Sequence, residues 1–232
     1  MHDLLPVSAV AGELGVHPSR VRALIASGSL PAEKVGGVWL VDRASVAARN
    51  RQQISAGRPL SPSNSWALLL AASGEELPSG LEPSARWRVR RALEVYGLDA
   101  IQPRLSRRAE PSAHWALNGE LRALRDRSEL VLSGPSAAGA YDLDLVGTDA
   151  VDAYIPASLI SLLQREHALE PASGTAANVV LRAVPDDAWL LHDRSVAPLA
   201  AIALDLRSYA DPRAARVGAE MVSRIDRDGR HG

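Results

Sequence analysis

Glycine and proline cut residues 6–41, PVSAVAGELGVHPSRVRALIASGSLPAEKVGGVWLV, into pieces that suit only a small domain. Ser8 is placed to cap a first helix, with Val10 and Leu14 on one face. Gly15 supplies a left-handed stop, His17 can cap a second helix, and Pro18 suits its first position. The second helix runs to about Ser27. Val21, Leu24 and Ile25 face inward, and Ser19, Arg20, Arg22, Ala23 and Ala26 cover the rest. After Gly28, the strand formers Val35, Trp39 and Val41 flank Gly36–Gly37, which can take the positive φ of a hairpin turn. Asp42 then caps a third helix, RASVAARNRQQ, closing a core through Val46, Ala47 and Ile54.

Two short helices across a glycine turn make a helix-turn-helix. The second helix has small or basic outward residues, which suits a major groove about 12 Å wide. The hairpin adds a wing with Lys34 near its base. The plainer reading is a helical unit that packs only against protein, with Arg20 and Arg22 as solvated charge.

Charge supports the DNA reading. Residues 1–58 hold seven Lys/Arg against four Asp/Glu, and residues 86–127 hold ten Arg against five acids. Residues 130–232 reverse the balance, with nine Arg against fourteen acids. Such a chain can meet a polyanion at one end and another partner at the other. The 232 residues contain no Cys, which excludes disulfides and suits a reducing cytoplasm. No apolar run approaches the roughly 20 residues of a membrane span, and the N-terminus lacks a signal peptide's pattern.

The segment VSAVAGELGVHPSRVRALIASGSLPAEKVGGVWLVDRASV resembles the excisionase and MerR type of winged helix. That resemblance implies major-groove roles for Ser19, Arg20, Arg22 and Ala23. It implies backbone or minor-groove roles for Lys34, Gly36 and Gly37. It covers about a fifth of the chain; the long dimerisation helix of MerR regulators is not visible.

Beyond a Ser/Pro/Gly-rich connection at 55–63, NSWALLLAAS reads as a buried helix capped by Ser63 or Asn64. The segment 84–97, SARWRVRRALEVYG, reads as a helix capped by Ser84 and ended by Gly97. Trp87, Arg91 and Glu94 share one side of it, and Val89, Leu93 and Tyr96 another. Arg86, Arg88, Arg90, Arg91, Arg104, Arg107 and Arg108 crowd this region. They form a solvated flank or a second polyanion surface, with Arg88 and Arg91 as the DNA-contact candidates. Residues 115–127 read as a helix. Strands are expected at LVLSG, VDAYIP, ANVVLRAVP and AWLL. Helices are expected at SAAGAY, PASLISLLQREHAL, VAPLAAIALDLRSY and DPRAARVGAEMVSRI, the last capped by Asp211 with Pro212 at its first position. The expected class is α+β: a winged helix-turn-helix over 1–55 and a larger mixed α/β domain over 60–228.

No P-loop, dinucleotide fingerprint or nucleophile elbow occurs. The six His lack ligand spacing, so no metal, cofactor or catalytic residue is assigned. Asp142, Asp144, Asp149 and Asp152 are the most suggestive acids. A D-x-D pair could hold Mg²⁺, although strand or turn roles suit them better. Ser133 and Ser136 read as turn and cap residues.

The run from LVLSGPSAAGAYDLDLV to APLAAIALDLRSYADPRAARVGAEMV is similar to AbiEi-type antitoxins of type IV toxin–antitoxin systems. Its most specific part is A-x-x-x-x-D-L-x-x-x-x-D-P-R-A-A-R-x-G, and the match spans roughly 60–225. The N-terminus departs from that family's usual winged helix. The resemblance implies a non-enzymatic, cytoplasmic repressor of its own operon. It also implies that the protein counteracts a nucleotidyltransferase toxin; a single winged helix makes few phosphate contacts, so duplex operator DNA would be bound as a homodimer or on repeated half-sites. A nucleic-acid-processing enzyme with a D-x-D metal site and an excisionase-like architectural factor are the alternatives.

Overall fold

A computed structural model describes residues 4–14, 18–26, 30–43, 45–46, 58–143, 145 and 150–229. The chain divides into two compact units, Met1–Arg58 and Pro59–Gly232, and the fold is mixed α+β with a sheet in each unit.

In the first unit, strand β1 (Leu4–Pro6) leads directly into α1 (Val7–Leu14), followed by α2 (Pro18–Ala26). Strands β2 (Glu33–Val35) and β3 (Val38–Asp42) then form a hairpin. The sheet is antiparallel in the order β1-β3-β2, with Leu5 opposite Val41. Gly36 and Gly37 have φ of 56° and 86°, the two positive values that a type I′ hairpin turn requires. Val10, Leu14, Val21, Leu24, Leu30 and Val41 share one buried core. Ser8 lies inside α1, exposed, and is not its cap: Pro6 ends a strand that pairs with β3, so the helix begins at Val7, two residues earlier than a Ser8 cap implies. Asp42 accepts a hydrogen bond from the Ser45 N–H at 3.2 Å, the expected cap contact. The Gly15 stop, the His17 cap and most of the third helix lie outside the described residues.

The second unit begins with α3 (Pro62–Ala72) and α4 (Pro83–Ile101). Ser61, neither Ser63 nor Asn64, caps α3: its Oγ accepts from the Asn64 N–H, and Pro62 takes the first position. Helix α4 starts at Pro83 after Glu82, so Ser84 is already inside it. Gly97, at φ 73° and ψ 170°, breaks α4 as anticipated. Asp226 recaps the continuation by accepting from the N–H groups of Leu98 and Asp99.

A five-stranded sheet follows in the order β5-β6-β8-β4-β7. The strands are β4 (Glu110–Trp115), β5 (Val131–Leu132), β6 (Val151–Pro156), β7 (Glu170–Pro171) and β8 (Val179–Val184). Strands β6 and β8 run parallel, and the other pairs antiparallel. The expected helix at 115–127 is split between β4 and α5 (Asn118–Arg125). SAAGAY lies within a 3-10 helix, Gly134–Tyr141. AWLL is not a strand. Its Ala188 ends a 3-10 turn at Asp186–Ala188, the left-handed Asp193 follows, and its apolar demand is met by burying Ala188 and Leu191 without a ladder. Helix α6 (Ile160–Glu166) precedes β7, and α7 (Leu199–Arg207) and α8 (Pro212–Asp228) close the unit. Asp211 caps α8 by accepting from the Ala214 N–H at 2.8 Å.

Strand alternation sorts the core. Val151, Ala153 and Ile155 of β6 join Leu121, Leu124, Leu163, Val179 and Leu181 in one apolar cluster. Tyr154, from the opposite pleat, joins Trp66 of α3 and the buried residues of α7 in a larger one.

Candidate nucleic-acid interface and a buried charge network

Helix α2 separates its faces cleanly. Val21 is fully buried and Leu24 nearly so, whereas Ser19, Arg22 and Ala23 are exposed. Arg20 is helical in backbone. On the hairpin, Lys34, Gly36 and Gly37 are exposed, and the Lys34 Nζ lies 5.7 Å from the Trp39 ring centroid, a cation–π distance. Ser19, Arg22 and Ala23 thus occupy one exposed helix face, and Lys34, Gly36 and Gly37 one exposed hairpin, of the same small domain. No side chain needs to leave the core for them to be accessible.

The arginines of 86–108 divide between surface and core. Arg86 donates to the carbonyls of Leu81 and Pro78, holding the loop before α4. Arg88, Arg90 and Arg91 are exposed. Arg88 Nε donates to the Ser84 carbonyl, and Arg91 pairs with Glu94 at 3.3 Å. Trp87, on the same helix, is 67% exposed. Arg104 and Arg107 line separate grooves, and Arg108 turns inward.

The acids also part company. Asp142 is exposed, in the left-handed residue that ends the 3-10 helix, and Asp144 and Asp149 lie outside the described residues. Asp152 is fully buried on β6. Both its carboxylate oxygens accept from Arg182 of β8, at 2.7 and 2.8 Å. Among the described residues no group of three or more His, Cys, Asp or Glu is placed to hold a metal ion.

Asp152 belongs to a larger network for which the sequence reading had assigned no role. The register Tyr154↔Arg182 puts Asp152, Tyr154 and Arg182 on the helix-facing side of the sheet. Asp205 enters from α7, where it is the one acid in LAAIALDLR. Its Oδ1 accepts from Arg108 Nη2 at 2.8 Å, and its Oδ2 accepts from Ser133 Oγ at 2.6 Å and Tyr154 Oη at 2.7 Å. Arg108 Nε donates to Tyr154 Oη, and the Arg108 carbonyl accepts from Trp66 Nε1. Trp66 stacks edge-on against Tyr154 at 4.7 Å. Ser133, expected as a turn residue, is therefore also a buried partner of Asp205.

Two guanidiniums thus neutralise two buried carboxylates, which is how charge becomes tolerable in an apolar core. Burial works against ionisation of Asp205, but Arg182 and Arg108 outweigh it and hold the carboxyl below its ordinary range. Burial pushes Asp152 upward, against the pull of Arg182. Burial likewise raises the Tyr154 phenol, which stays a neutral donor. Tyr209, half-buried beside the same charges, is pushed by burial up to about 12.

A signal for this network was present in the sequence: one charge in each of three apolar elements, VDAYIP, VVLRAV and LAAIALDL. Asp205 is also the acid of the A-x-x-x-x-D-L pattern. No family model, curated protein or solved structure matches this chain.

Proposed function

We propose that the protein is a DNA-binding repressor that regulates its own operon as the antitoxin of a toxin–antitoxin pair. Residues 1–58 form a winged helix-turn-helix that reads duplex operator DNA. The observation that carries this reading is the exposed face of α2, Ser19, Arg22 and Ala23, in one domain with an exposed Gly36–Gly37 hairpin and Lys34. Small outward residues allow the helix to sit deep in the major groove, and Arg20 and Arg22 supply base-edge or phosphate donors. Lys34 and the glycine turn suit a phosphate backbone, where close approach requires little side-chain bulk.

The second unit would serve neutralisation of a nucleotidyltransferase toxin, as the resemblance of residues 60–225 implies. The exposed Trp87, Arg88 and Arg91 of α4 have the residue types that concentrate binding energy at interfaces, and they provide the contact surface for operator or toxin. Among the described residues no helix is long and apolar enough to cross a membrane. A cytoplasmic location follows from the DNA-binding role. One winged helix makes few phosphate contacts, so operator recognition uses a homodimer or repeated half-sites.

The test is a gel shift with the DNA upstream of the protein's own reading frame. Substitution of both Arg20 and Arg22 by Ala weakens binding by about 1–3 kcal/mol per base-reading arginine and relaxes sequence preference. Wild-type binding by the double variant would remove the recognition-helix assignment. A circular-permutation assay separates repression from architectural bending. Growth rescue on co-expression with the neighbouring toxin tests the antitoxin role.

A further inference from the structure

Arg108 and Arg182 do more than balance buried acids. With Ser106, Ala109, Pro111 and Tyr154 they line a recess of about 120 Å³. That is room for about four waters at ~30 Å³ each, and so for one tetrahedral oxyanion. The arginine side chains keep 17% and 13% exposure, whereas the carboxylates of Asp205 and Asp152 behind them keep none.

Donors and acceptors are unevenly engaged. All four carboxylate oxygens accept hydrogen bonds within the protein. A guanidinium carries five N–H groups. Hydrogen bonds engage all three nitrogens of Arg108 and two of Arg182, whose Nη1 lies 3.3 Å from Asp205 Oδ1; with two N–H groups on each Nη, some remain without a partner among the described residues. The acids act as anchors: they fix both guanidinium planes, so little side-chain freedom is lost when an anion docks. Two guanidiniums at one recess match the several oxygens of a phosphate better than the single edge of a carboxylate.

The recess shares Ser106, Ala109 and Pro111 with a groove of about 390 Å³ that Arg107 and Glu110 also line. With one cation and one acid there, the groove favours an uncharged organic group over a second anionic one.

We propose that this recess binds the terminal phosphate of a small phosphate monoester, whose organic part lies in the adjoining groove. The site is independent of the DNA-binding reading and gives the second unit a small-molecule ligand.

Calorimetric titration of the full chain tests it, with inorganic phosphate, a nucleoside 5′-monophosphate, the same nucleoside without phosphate, and acetate. Saturable one-site binding of the phosphates, and none of nucleoside or acetate, is expected. Inorganic phosphate binding as tightly as the ester would place the whole affinity in the recess; a tighter ester would add the groove.

Arg108→Ala risks unfolding, so two gentler variants carry the test. Ser106→Glu places a carboxylate at the rim from an exposed position, and Asp152→Asn with Arg182→Gln removes donors without stranding a charge. Each weakens phosphate binding by at least about tenfold, the loss of one charge-assisted hydrogen bond, while circular dichroism stays native. No binding at millimolar phosphate, equal binding of the bare nucleoside or of acetate, or undiminished binding by folded Ser106→Glu would overturn the proposal.

Discussion

Asp205 holds its region together through four groups that reach it from different parts of the chain: Arg108, Ser133, Tyr154 and Arg182. Its truncation leaves two guanidiniums in a buried site with one carboxylate between them. Breaking a buried pair in this way costs about 3–5 kcal/mol. Asp205→Ala is therefore expected to lower the urea midpoint sharply or abolish folding of the second unit, whereas Tyr154→Phe, which deletes one donor, has a smaller effect. A second residue-scale expectation concerns pH. His114 is 3% exposed; its Nε2 lies 2.9 Å from Ser112 Oγ and its Nδ1 has no partner among the described residues. Burial lowers its pKa from the ordinary 6.5. The unfolded chain thus takes up the proton first, so stability is full above 6.5 and falls as pH drops through the depressed folded value. Urea midpoints at pH 7 and pH 5 should show this loss, and His114→Gln should flatten it. An unchanged slope in that variant would assign the loss to other groups.

Helix packing places its strictest demand on a single glycine. Helix α8 buries Ala214, Gly218, Met221 and Val222 on one face, at the helical spacing of an amphipathic element. A Cβ at Gly218 would lie 2.3 Å from the Arg207 nitrogen and 2.7 Å from the Ala203 carbonyl oxygen, both backbone atoms of α7. The helices would have to separate, at about 1–3 kcal/mol for overpacking, and thermal melting of Gly218→Ala should report it. The reason this contact escapes a reading of the sequence is that helical period identifies the buried face but not the neighbour's distance. The same limit applies to the strands. VDAYIP and NVVLRAV read correctly as strands, while Glu110–Trp115 did not, because EPSAHW has no β-branched residue and becomes a strand by pairing with β8 and β7. AWLL erred in the other direction: apolar composition predicts burial, and burial does not require a ladder. The Asp211 cap and Pro212 start of α8 were legible, since capping is decided by residues three apart.

Across the whole molecule, charge divides along the chain. The first 58 residues carry seven cations against four acids, so operator affinity in the proposed reading falls steeply with salt. Lys34→Ala should weaken binding to specific and nonspecific duplexes alike and reduce the log–log salt slope by about 1, which filter binding over a salt series can measure. A change in sequence preference instead would place Lys34 on a base edge. By itself the sequence determined the mixed α+β class, the hairpin at Gly36–Gly37, the buried α3 and α7, and the exposure of Ser19, Arg22 and Ala23 on α2, because turn chemistry, capping and periodicity act over a few residues. Only the tertiary structure decided which charges are surface and which are core. Arg88 and Arg108 lie in one arginine-rich stretch, yet one is solvated and the other meets an aspartate 97 positions away. Likewise Asp152 was read among metal-ligand candidates and proves to be paired with Arg182 across a parallel strand pair. Ion pairing in a low-dielectric interior depends on distances set by strand register and helix docking, and no local pattern encodes those.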